Sequence, residues 1–391
     1  MTSKSMGWAF CRFNYQNLCY LNAMSISAFA PGRVELLGNH TDYNDGVVLS
    51  AALDLGIFVE GAVNNEGHIR LESEGMPAFE ADGAALAATG GWSDYPMGVL
   101  QMLREAGHSV PGLEARYRST LPLGAGLSSS AAMEVATGVL FMKSARVSME
   151  PMDLAKLCRK AENEFVGVNC GLLDQVSSIF GKSGHAIYLD CRAESVETVP
   201  FPAGASLIIV NSGVKHALTG GEYNERRAMC FDAASQMGVP ALRDATMDML
   251  SAAGLPDLIR RRAAHVIGEN DRVLRALEIL RAGDAPAFGT LMTQSHESSR
   301  HNFENSTPEL DALVEIATSL PGVFGARLTG GGFGGAIVAL ADKPTAEETS
   351  GEIVSRYKTL TGHDGAALVC QPGAGAWAAN DLGLRGEGMT E

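Results

Sequence analysis

The chain has 391 residues, which is enough for two or three domains at about 150 residues each and excludes a single small module. Hydrophobic residues make up 46% and charged residues 19% of the sequence, a balance that excludes disorder as the main state. The formal net charge of −15 repels polyanions, so nucleic-acid binding is disfavoured as a function.

The N-terminal segment 1–23 mixes aromatic and polar residues and lacks the continuous apolar centre of a signal peptide. We therefore predict that 1–23 is an extension outside the folded core. No stretch approaches the roughly 18 apolar residues of a membrane span, so no membrane segment is expected. The seven cysteines are scattered and include no C-x-x-C pair. This pattern is typical of reduced thiols, and we expect a cytoplasmic protein.

Hydrophobic periodicity predicts strands and helices in mixed order along the rest of the chain. Strands are predicted at 25–38, 57–63, 206–211 and 336–340, and helices at 130–143, 152–164, 223–237, 269–282 and 308–319. The order is not a strict strand–helix alternation, so it predicts an α+β fold and does not require a doubly wound parallel sheet. The PFPAGA run at 200–205 is predicted to join two lobes, 24–200 and 201–391.

The sequence LPLGAGLSSSAAME at 121–134 places a loop of small residues directly before a predicted helix. Glycines let backbone N–H groups turn towards a phosphate, and the start of a helix adds partial positive charge. The run indicates a polyphosphate site, although it is neither a P-loop nor a G-x-G-x-x-G sequence. A serine-capped helix after a flexible turn is the alternative interpretation.

A second glycine-rich run, ARLTGGGFGG at 326–335, stands immediately before a predicted strand. Glycine loses more conformational entropy on folding than any other residue, so this density indicates a close backbone approach or positive φ angles. Two such loops in one acidic chain favour an anionic ligand, although packing alone is the alternative for each.

The run APGRVELLGNHTDYNDG at 30–46 concentrates hydrogen-bonding side chains that suit a polyol. A later run, ENEFVGVNCGLLDQ at 162–175, places Asp174 among apolar neighbours, where a carboxylate needs a partner. A helix cap or an ion pair is the alternative interpretation for each of these side chains. His40 alone is more typical of a hydrogen-bonded structural histidine than of a catalyst.

In these motifs the chain resembles the galactokinase family of the GHMP small-molecule kinases. The resemblance extends to five further sequences, WSDYPMG at 92–98, LDCR at 189–192, NSGVKH at 211–216, EYNERR at 222–227 and SHESSR at 295–300. It implies a two-lobed α+β fold with the active site in the cleft between the lobes. It also implies phosphorylation of the anomeric hydroxyl of α-D-galactose by ATP, with Mg²⁺.

The resemblance also implies roles for individual residues. Asp174 is the expected base, Arg33 its partner at the transferring phosphoryl group, and Ser130 and Glu162 are the expected Mg²⁺ ligands. The residues expected on the ATP side are Trp92, Tyr95, Gly124, Ala125, Gly126, Leu127, Ser128, Ser129 and Ser130. The residues expected on the sugar are Asn39, His40, Asp42, Gly171 and Tyr223, with Gly330, Gly331 and Gly332 lining the cleft.

The chain departs from the family pattern at Glu35 and Asn39, where the family usually has Asn and Glu. Because the family glutamate contacts the sugar's primary hydroxyl, an anomeric kinase for a different sugar, of galacturonate or arabinose type, is one alternative. A sugar- and ATP-binding regulator without catalysis is another. Ser50, Leu173 and Asn305 also depart from the pattern and are interpreted as packing changes. Sugar and ATP are the expected partners, and the sequence is compatible with a monomer or a weak dimer.

Overall fold

The structure is a computed structural model that describes residues 26–110, 112–122, 126–214 and 221–379. The predicted extension 1–23 lies outside these residues, as do Gly124 and Ala125 of the first glycine-rich loop. Within the described ranges, no helix has both the length and the apolar character needed to cross a membrane.

The described chain forms strands and helices in mixed order, and the α+β prediction is confirmed. In chain order the strands are β1 (Ile26–Leu37), β2 (Val47–Val63), β3 (His68–Ser73), β4 (Phe79–Asp82), β5 (Leu113–Ser119), β6 (His185–Asp190), β7 (Ser195–Pro200), β8 (Ala205–Asn211), β9 (Val323–Thr329), β10 (Ala336–Asp342), β11 (Ala366–Cys370) and β12 (Trp377–Ala379). The helices are α1 (Asp94–Glu105), α2 (Ser129–Ala145), α3 (Pro151–Lys160), α4 (Leu173–Phe180), α5 (Gly221–Met237), α6 (Met247–Ala252), α7 (Asp257–Arg281), α8 (Ala285–Ser298), α9 (Pro308–Thr318) and α10 (Ala346–Thr361). Two π-helical turns, Ala161–Val166 and Ser299–Phe303, follow α3 and α8.

Two sheets organise the described part of the chain. In the first sheet the strand order is β12-β1-β2-β5-β3-β4, and β6 also pairs with β2 and continues to β7. The second sheet has the order β11-β8-β10-β9 and is antiparallel. The chain leaves the first sheet at Pro200 and enters the second at Ala205, where the PFPAGA crossing was predicted. The lobe division at 200 stays a prediction, and β12 returns to the first sheet to pair with β1.

Strand β1 is buried at all 12 positions, because it pairs with β12 and β2 in the first sheet and packs against helices of both sequence halves. Its buried positions include two charged residues, Arg33 and Glu35. Charged groups are almost never buried without a partner, so both must find one on another element. Both partners lie in the candidate site described below.

The predicted start of one long helix was wrong. A helix was expected to begin at 269, but α7 begins at Asp257. Its first turns bury Arg262 and His265 beside apolar residues, so the apolar periodicity that signals a helix is interrupted there. Buried polar side chains with long-range partners therefore concealed about three turns of helix.

Helix α8 lies directly against β9 because two glycines let the backbones meet. A methyl group at Gly289 would collide with the backbone of Phe324, and one at Gly325 would collide with the carbonyl of Gly289. This close approach fixes the second sheet against the helix that runs towards the candidate site.

We expect Gly289→Ala to lower the free energy of unfolding by about 1–3 kcal/mol, because the added methyl group must push α8 away from β9. Gly351→Ala is the matched control, since Gly351 lies on α10 and a methyl group added to it would meet no atom within 4 Å. That change is expected to stabilise the fold by about 0.4–1 kcal/mol. Chemical denaturation of both variants tests the pair. Equal effects would contradict the assigned contact.

Candidate active site

A bidentate ion pair between Arg33 and Asp174 forms the centre of the site. Arg33 on β1 donates from Nε to Asp174 Oδ1 over 2.7 Å and from Nη2 to Oδ2 over 2.8 Å. The Ser128 hydroxyl donates to Asp174 Oδ2 at 2.5 Å, and Arg33 Nη1 donates to the Gly126 carbonyl at 2.9 Å. The Asp174 side chain keeps 22% of its surface exposed, so the carboxylate is held rigidly and is still accessible. The ion pair that was the alternative interpretation of Asp174 is therefore present. The same geometry is compatible with the predicted role as a base, because the carboxylate is still accessible.

The start of α2 lies beside this pair. Ser128 precedes the helix in the left-handed conformation, with φ of 55°, and its side chain turns towards Asp174. The first N–H groups of a helix have no partner inside the helix and attract anions. Gly126 and Ser129 are exposed and Leu127 is buried, so the described part of the loop presents its backbone to solvent. The structure thus brings Gly126, Ser128, Ser129 and Ser130 to one side of Asp174.

A buried acidic cluster lies behind the start of α2. Gln175 donates from Nε2 to Glu162 Oε2 at 2.8 Å and to Glu134 Oε2 at 3.1 Å, and the Cys170 thiol donates to Glu162 at 3.2 Å. Burial raises the pKa of Glu162, and burial together with the charge of Glu162 raises the pKa of Glu134 well above its usual range. Two carboxylates close together in a buried place favour a cation.

The cluster fits a magnesium ion that also binds phosphate. Ser130 lies close enough to Glu162 for its hydroxyl to counter the rise in the pKa of Glu162 that burial causes, and Oε1 of the buried Glu134 has no hydrogen-bond partner among the described residues. No group of three or more His, Cys, Asp or Glu side chains in the described ranges is arranged to hold a metal alone. Mg²⁺ usually takes one or two carboxylates and completes its shell with water and phosphate oxygens, so Ser130 and Glu162 suffice.

Trp92 and Tyr95 lie at the start of α1. Trp92 donates from Nε1 to the Pro77 carbonyl at 3.0 Å and meets Tyr117 edge to face. Tyr95 is half-buried, and the nearby Glu162 and Glu134 charges add to burial in raising the pKa of its hydroxyl. Tyr95 therefore lies near the acidic cluster. Trp92 instead contacts Tyr117 of the first sheet and the Pro77 carbonyl.

Asp42, Gly171 and Tyr223 lie close to one another and near Asp174. A side chain at Gly171 would collide with the Asp42 carboxylate, so glycine is required for this approach. Burial raises the pKa of Asp42, and the charge of Asp174 adds to the rise. Burial also raises the pKa of Tyr223, with Asp42 as the next cause. A hydroxyl and two carboxylates thus lie near one another, a set of hydrogen-bonding groups that suits a polyol.

His40 is bound within the protein. Its Nε2 donates to the Gly331 carbonyl at 3.0 Å, so the neutral ring accepts at Nδ1 from the Tyr43 hydroxyl at 2.8 Å. Burial lowers its pKa to about 4. Both ring nitrogens are bonded to protein groups, and the backbone of His40 is left-handed, with φ of 61°. His40 therefore agrees with the interpretation as a hydrogen-bonded structural histidine. Asn39 is 1% exposed and is also bound internally.

Glu269 on α7 holds the loop that carries these residues, and the sequence did not reveal it. Its Oε2 accepts from the backbone N–H groups of Gly38 at 2.9 Å and Asn39 at 3.0 Å, while Arg272 donates to Oε1 at 2.5 Å. Burial would raise the pKa of Glu269, but the Arg272 charge and these bonds hold it below the usual range. Glu269 was predicted only as the first residue of a helix. No local sequence pattern indicates that it binds Asn39, which lies 230 residues away.

Glu35 pairs with Arg327 of the second sheet, with 3.0 Å between Oε1 and Nη1. The backbone N–H of Glu35 also donates to the Thr329 hydroxyl, which donates in turn to the Glu35 carbonyl, each at 3.2 Å. Burial raises the pKa of Glu35 to about 7, against the lowering effect of Arg327. The candidate site therefore lies where β1 of the first sheet meets β9 of the second.

A cavity of about 350 Å³ lies elsewhere, between 200–204 and 280–285. Its lining is mainly apolar and includes none of the residues that surround Asp174. It therefore does not belong to the candidate site.

Three family models match the chain. The GHMP kinases N terminal domain matches residues 94–182, the GHMP kinases C terminal model matches 276–359, and the galactokinase galactose-binding signature matches 20–63. These matches include the acidic cluster, the end of α7 with all of α8 and α9, and the run that carries Arg33. The motifs that predicted the site and the matched segments are therefore largely the same.

Known proteins are similar over nearly the whole chain. The galactokinase of Roseiflexus sp. (strain RS-1) is 38% identical over 362 residues, which is 90% of this chain and 92% of that protein. The galactokinase of Chloroflexus aggregans is 39% identical over 358 residues, or 89% and 92% of the two chains. The crystal structure of Lactococcus lactis galactokinase complexed with galactose matches with a TM-score of 0.85 and 32% identity, over 90% of this chain and 94% of that one.

The buried carboxyl of Glu35 gives a prediction for stability against pH. Since its pKa rises from 4.5 to about 7 on folding, the folded protein holds a proton that the unfolded chain has released between these values. The stability that this group contributes is complete below about pH 4.5 and is lost as the pH rises through about 7. Relative to Glu35→Gln, the wild-type free energy of unfolding should fall by about 3 kcal/mol between about pH 4.5 and pH 8.

Denaturant titrations of the wild type and Glu35→Gln across this range test the prediction, with the exposed Glu74→Gln as a control for the substitution itself. A difference between wild type and Glu35→Gln that does not change with pH would contradict it.

Proposed function

Because the chain belongs to the galactokinase family of the GHMP kinases, we propose that it transfers the γ-phosphoryl group of ATP to the anomeric hydroxyl of α-D-galactose. The observation that carries the proposal is the bidentate Arg33–Asp174 pair beside the start of α2, with Asp42 and Tyr223 nearby. A carboxylate thus lies beside an anion-binding helix start and close to groups that can bind sugar hydroxyls.

In this proposal Asp174 accepts the proton of the anomeric hydroxyl. A carboxylate offers about four acceptor positions, of which Arg33 and Ser128 occupy three, so one remains for a substrate hydroxyl. The two arginine bonds fix the direction of that free position. Fixed orientation of the reacting groups is a main source of rate enhancement in phosphoryl transfer.

Arg33 has a second role, because its third guanidinium nitrogen donates to the Gly126 carbonyl. The arginine thereby holds the phosphate loop and the base in one arrangement. A guanidinium so near the helix start also stabilises negative charge on the phosphoryl group as it transfers. The backbone of 124–130 and the first turn of α2 bind the phosphates, and Tyr95 with Trp92 borders the nucleotide.

Ser130 and Glu162 would hold Mg²⁺ in this proposal. When bound, the ion neutralises charge on the phosphate oxygens that it contacts. Gln175 orients the Glu162 carboxylate by donating to its Oε2, and Glu134 keeps a second carboxylate nearby. Asp42, Tyr223 and the backbone at Gly171 bind sugar hydroxyls near Asp174.

The alternative of a kinase for a different sugar was motivated by Asn39. Its side chain is buried and bonded within the protein, so this residue does not favour that alternative. The proposed compartment is the cytoplasm, supported by the free thiols of the five described cysteines. The proposed lobes divide near residue 200, supported by the change of sheet between β7 and β8.

Asp174→Asn is expected to lower kcat by more than tenfold, about 1.4 kcal/mol in barrier height, because an amide cannot accept the proton. ATP affinity should stay near the wild-type value, since asparagine has the shape of aspartate and its amide oxygen still accepts from Arg33. Asp244→Asn is the matched control, because Asp244 forms a bidentate pair with Arg192 at 2.7 Å on the surface. Steady-state ADP release and ATP binding measure both variants. A variant of Asp174 with more than a tenth of wild-type kcat would exclude it as the base.

The substrate itself is tested by ADP release from Mg²⁺-ATP with galactose, its amino, deoxy and uronic derivatives, glucose, mannose and arabinose. Phosphorus NMR of the product then locates the phosphate. A preference for galactose with phosphate at carbon one supports the proposal, and a faster different sugar would refute the proposed substrate. Sugar and ATP binding without ADP release would instead support a regulator.

Glu162→Gln is expected to raise the Mg²⁺ concentration for half-maximal activity by about tenfold or more, because a neutral amide replaces a hard anionic ligand. Glu164→Gln is the control, since Glu164 lies in the same π-helical turn but is 60% exposed and faces Lys160. Activity is measured across a Mg²⁺ titration at saturating ATP. Identical titrations for the two variants would remove Glu162 from the metal site.

A further inference from the structure

The side chain of Asn39 is buried and bonded within the protein, so it is not accessible to a substrate. Its Nδ2 donates to Glu35 Oε1 at 3.0 Å and to the Gly330 carbonyl at 2.7 Å, and its Oδ1 accepts from Asn305 Nδ2 at 2.8 Å. The residue is 1% exposed. Both N–H groups of this amide are donated, its oxygen accepts from Asn305, and the residue is buried, so it acts on other protein groups and not on a ligand.

Asn305 holds the glycine-rich loop from the same side. The side-chain Nδ2 of Asn305 also donates to the Gly331 carbonyl at 3.1 Å, and the backbone carbonyl of Asn305 accepts from the Phe333 N–H at 2.6 Å. Gly332, with φ of 81°, lies so close that a side chain there would collide with Asn305. The interpretation of Asn305 as a packing change was therefore wrong, because its amide takes part in a buried polar network.

The three side chains of Asn39, His40 and Asn305 all donate to carbonyls of the same two glycines. Gly330 receives one bond and Gly331 receives two. These bonds hold both carbonyls on the interior side of the loop. Gly331 meanwhile lies near the ring of Tyr223, since a Cβ there would be 3.9 Å from Tyr223 Cδ2. The loop thus lies near Tyr223, a residue on the proposed sugar side.

Glu35 anchors the network to the second sheet. It accepts from Asn39, pairs with Arg327 on β9, and exchanges backbone hydrogen bonds with the Thr329 hydroxyl one residue before the loop. The loop is therefore fixed at its start by Glu35 and along its length by two asparagines. Glu35, Asn39 and Asn305 depart from the family pattern together and are joined through Asn39, so they form one unit.

We propose that Asn39 and Asn305 are positioning residues for the loop 330–335, and that Asn39 influences the sugar only through this loop. The assignment rests on the proposed function, because it concerns how the sugar site is shaped. It differs from direct recognition in a measurable way. A residue that touches one hydroxyl affects sugars that carry that hydroxyl, whereas a displaced loop affects every sugar alike.

The test is a double-mutant cycle with Asn39→Leu, Asn305→Leu and the double variant, each assayed with galactose and its monodeoxy derivatives. Each single change is expected to lower kcat/KM about tenfold for all these sugars, because buried carbonyls lose their donors and the loop shifts. The double variant should lie within about twofold of the worse single variant, since both act on one loop. Ile353→Val, buried under the second sheet away from the loop, is the control for stability loss alone.

Three results would overturn the assignment. The first is a loss for Asn39→Leu that disappears with one deoxy sugar, which indicates direct contact with that hydroxyl. The second is multiplied losses in the double variant. The third is a lower melting temperature with unchanged kcat/KM, as expected for Ile353→Val. If Asn39→Leu does not fold, Asn305→Leu decides by the same criteria: a uniform loss supports the assignment, and no loss overturns it.

The two proposals fail in different ways. A folded wild-type protein that phosphorylates none of these sugars refutes the proposed function. Full wild-type activity combined with any of the three results above refutes only the positioning assignment.

Discussion

The burial of the Glu269 carboxylate is the constraint on which the rest of the site depends. A buried charge must be paired, and here two backbone N–H groups and Arg272 provide the pairing. Because the donors are the backbone N–H groups of Gly38 and Asn39, α7 fixes the backbone of the loop directly. A side chain in their place could rotate away. The position of the loop that carries His40 and Asp42 then follows from the position of one helix.

A second consequence concerns the junction of the two sheets. Where β1 faces β9, polar contacts are formed by Glu35, Thr329 and Arg327. The Thr329 hydroxyl bonds to both the N–H and the carbonyl of Glu35, and such buried directional bonds favour one arrangement of the two strands. The junction therefore sets the relative position of Arg33, which lies on the same strand as Glu35, and the glycine-rich loop, which follows β9. Precision at the site comes from these polar bonds.

Sequence reasoning found the parts of the site that lie in local motifs. The loop before α2 and the polyol-type run after β1 could be identified because small residues before a helix have a direct physical meaning. The Arg33–Asp174 pair joins residues 141 apart, and only the family resemblance connected them. The ATP, sugar and metal assignments of single residues stay predictions. For His40 and Asn39, the structure adds that their polar atoms are bonded inside the protein.

The rest could not be predicted because the signal is not local. Glu269, Arg327 and Asn305 have ordinary neighbours in the sequence, and their roles depend on partners on other elements. The early start of α7 was missed for the same reason, since its buried Arg262 and His265 bond to groups far along the chain. Periodicity detects apolar burial, so it does not detect polar burial.

The pairing of β12 with β1 has a consequence for the order of folding. Trp377–Ala379 forms three register pairs with Ser27, Ala28 and Phe29, and Trp377 stacks on Phe29 with 6.0 Å between ring centroids. During synthesis, this edge of β1 stays open until 377–379 have been made, and an open strand edge is a template for wrong pairing between molecules. Strand β12 thus covers the edge of a strand that was made about 350 residues earlier, and nascent chains that stall before β12 expose that edge.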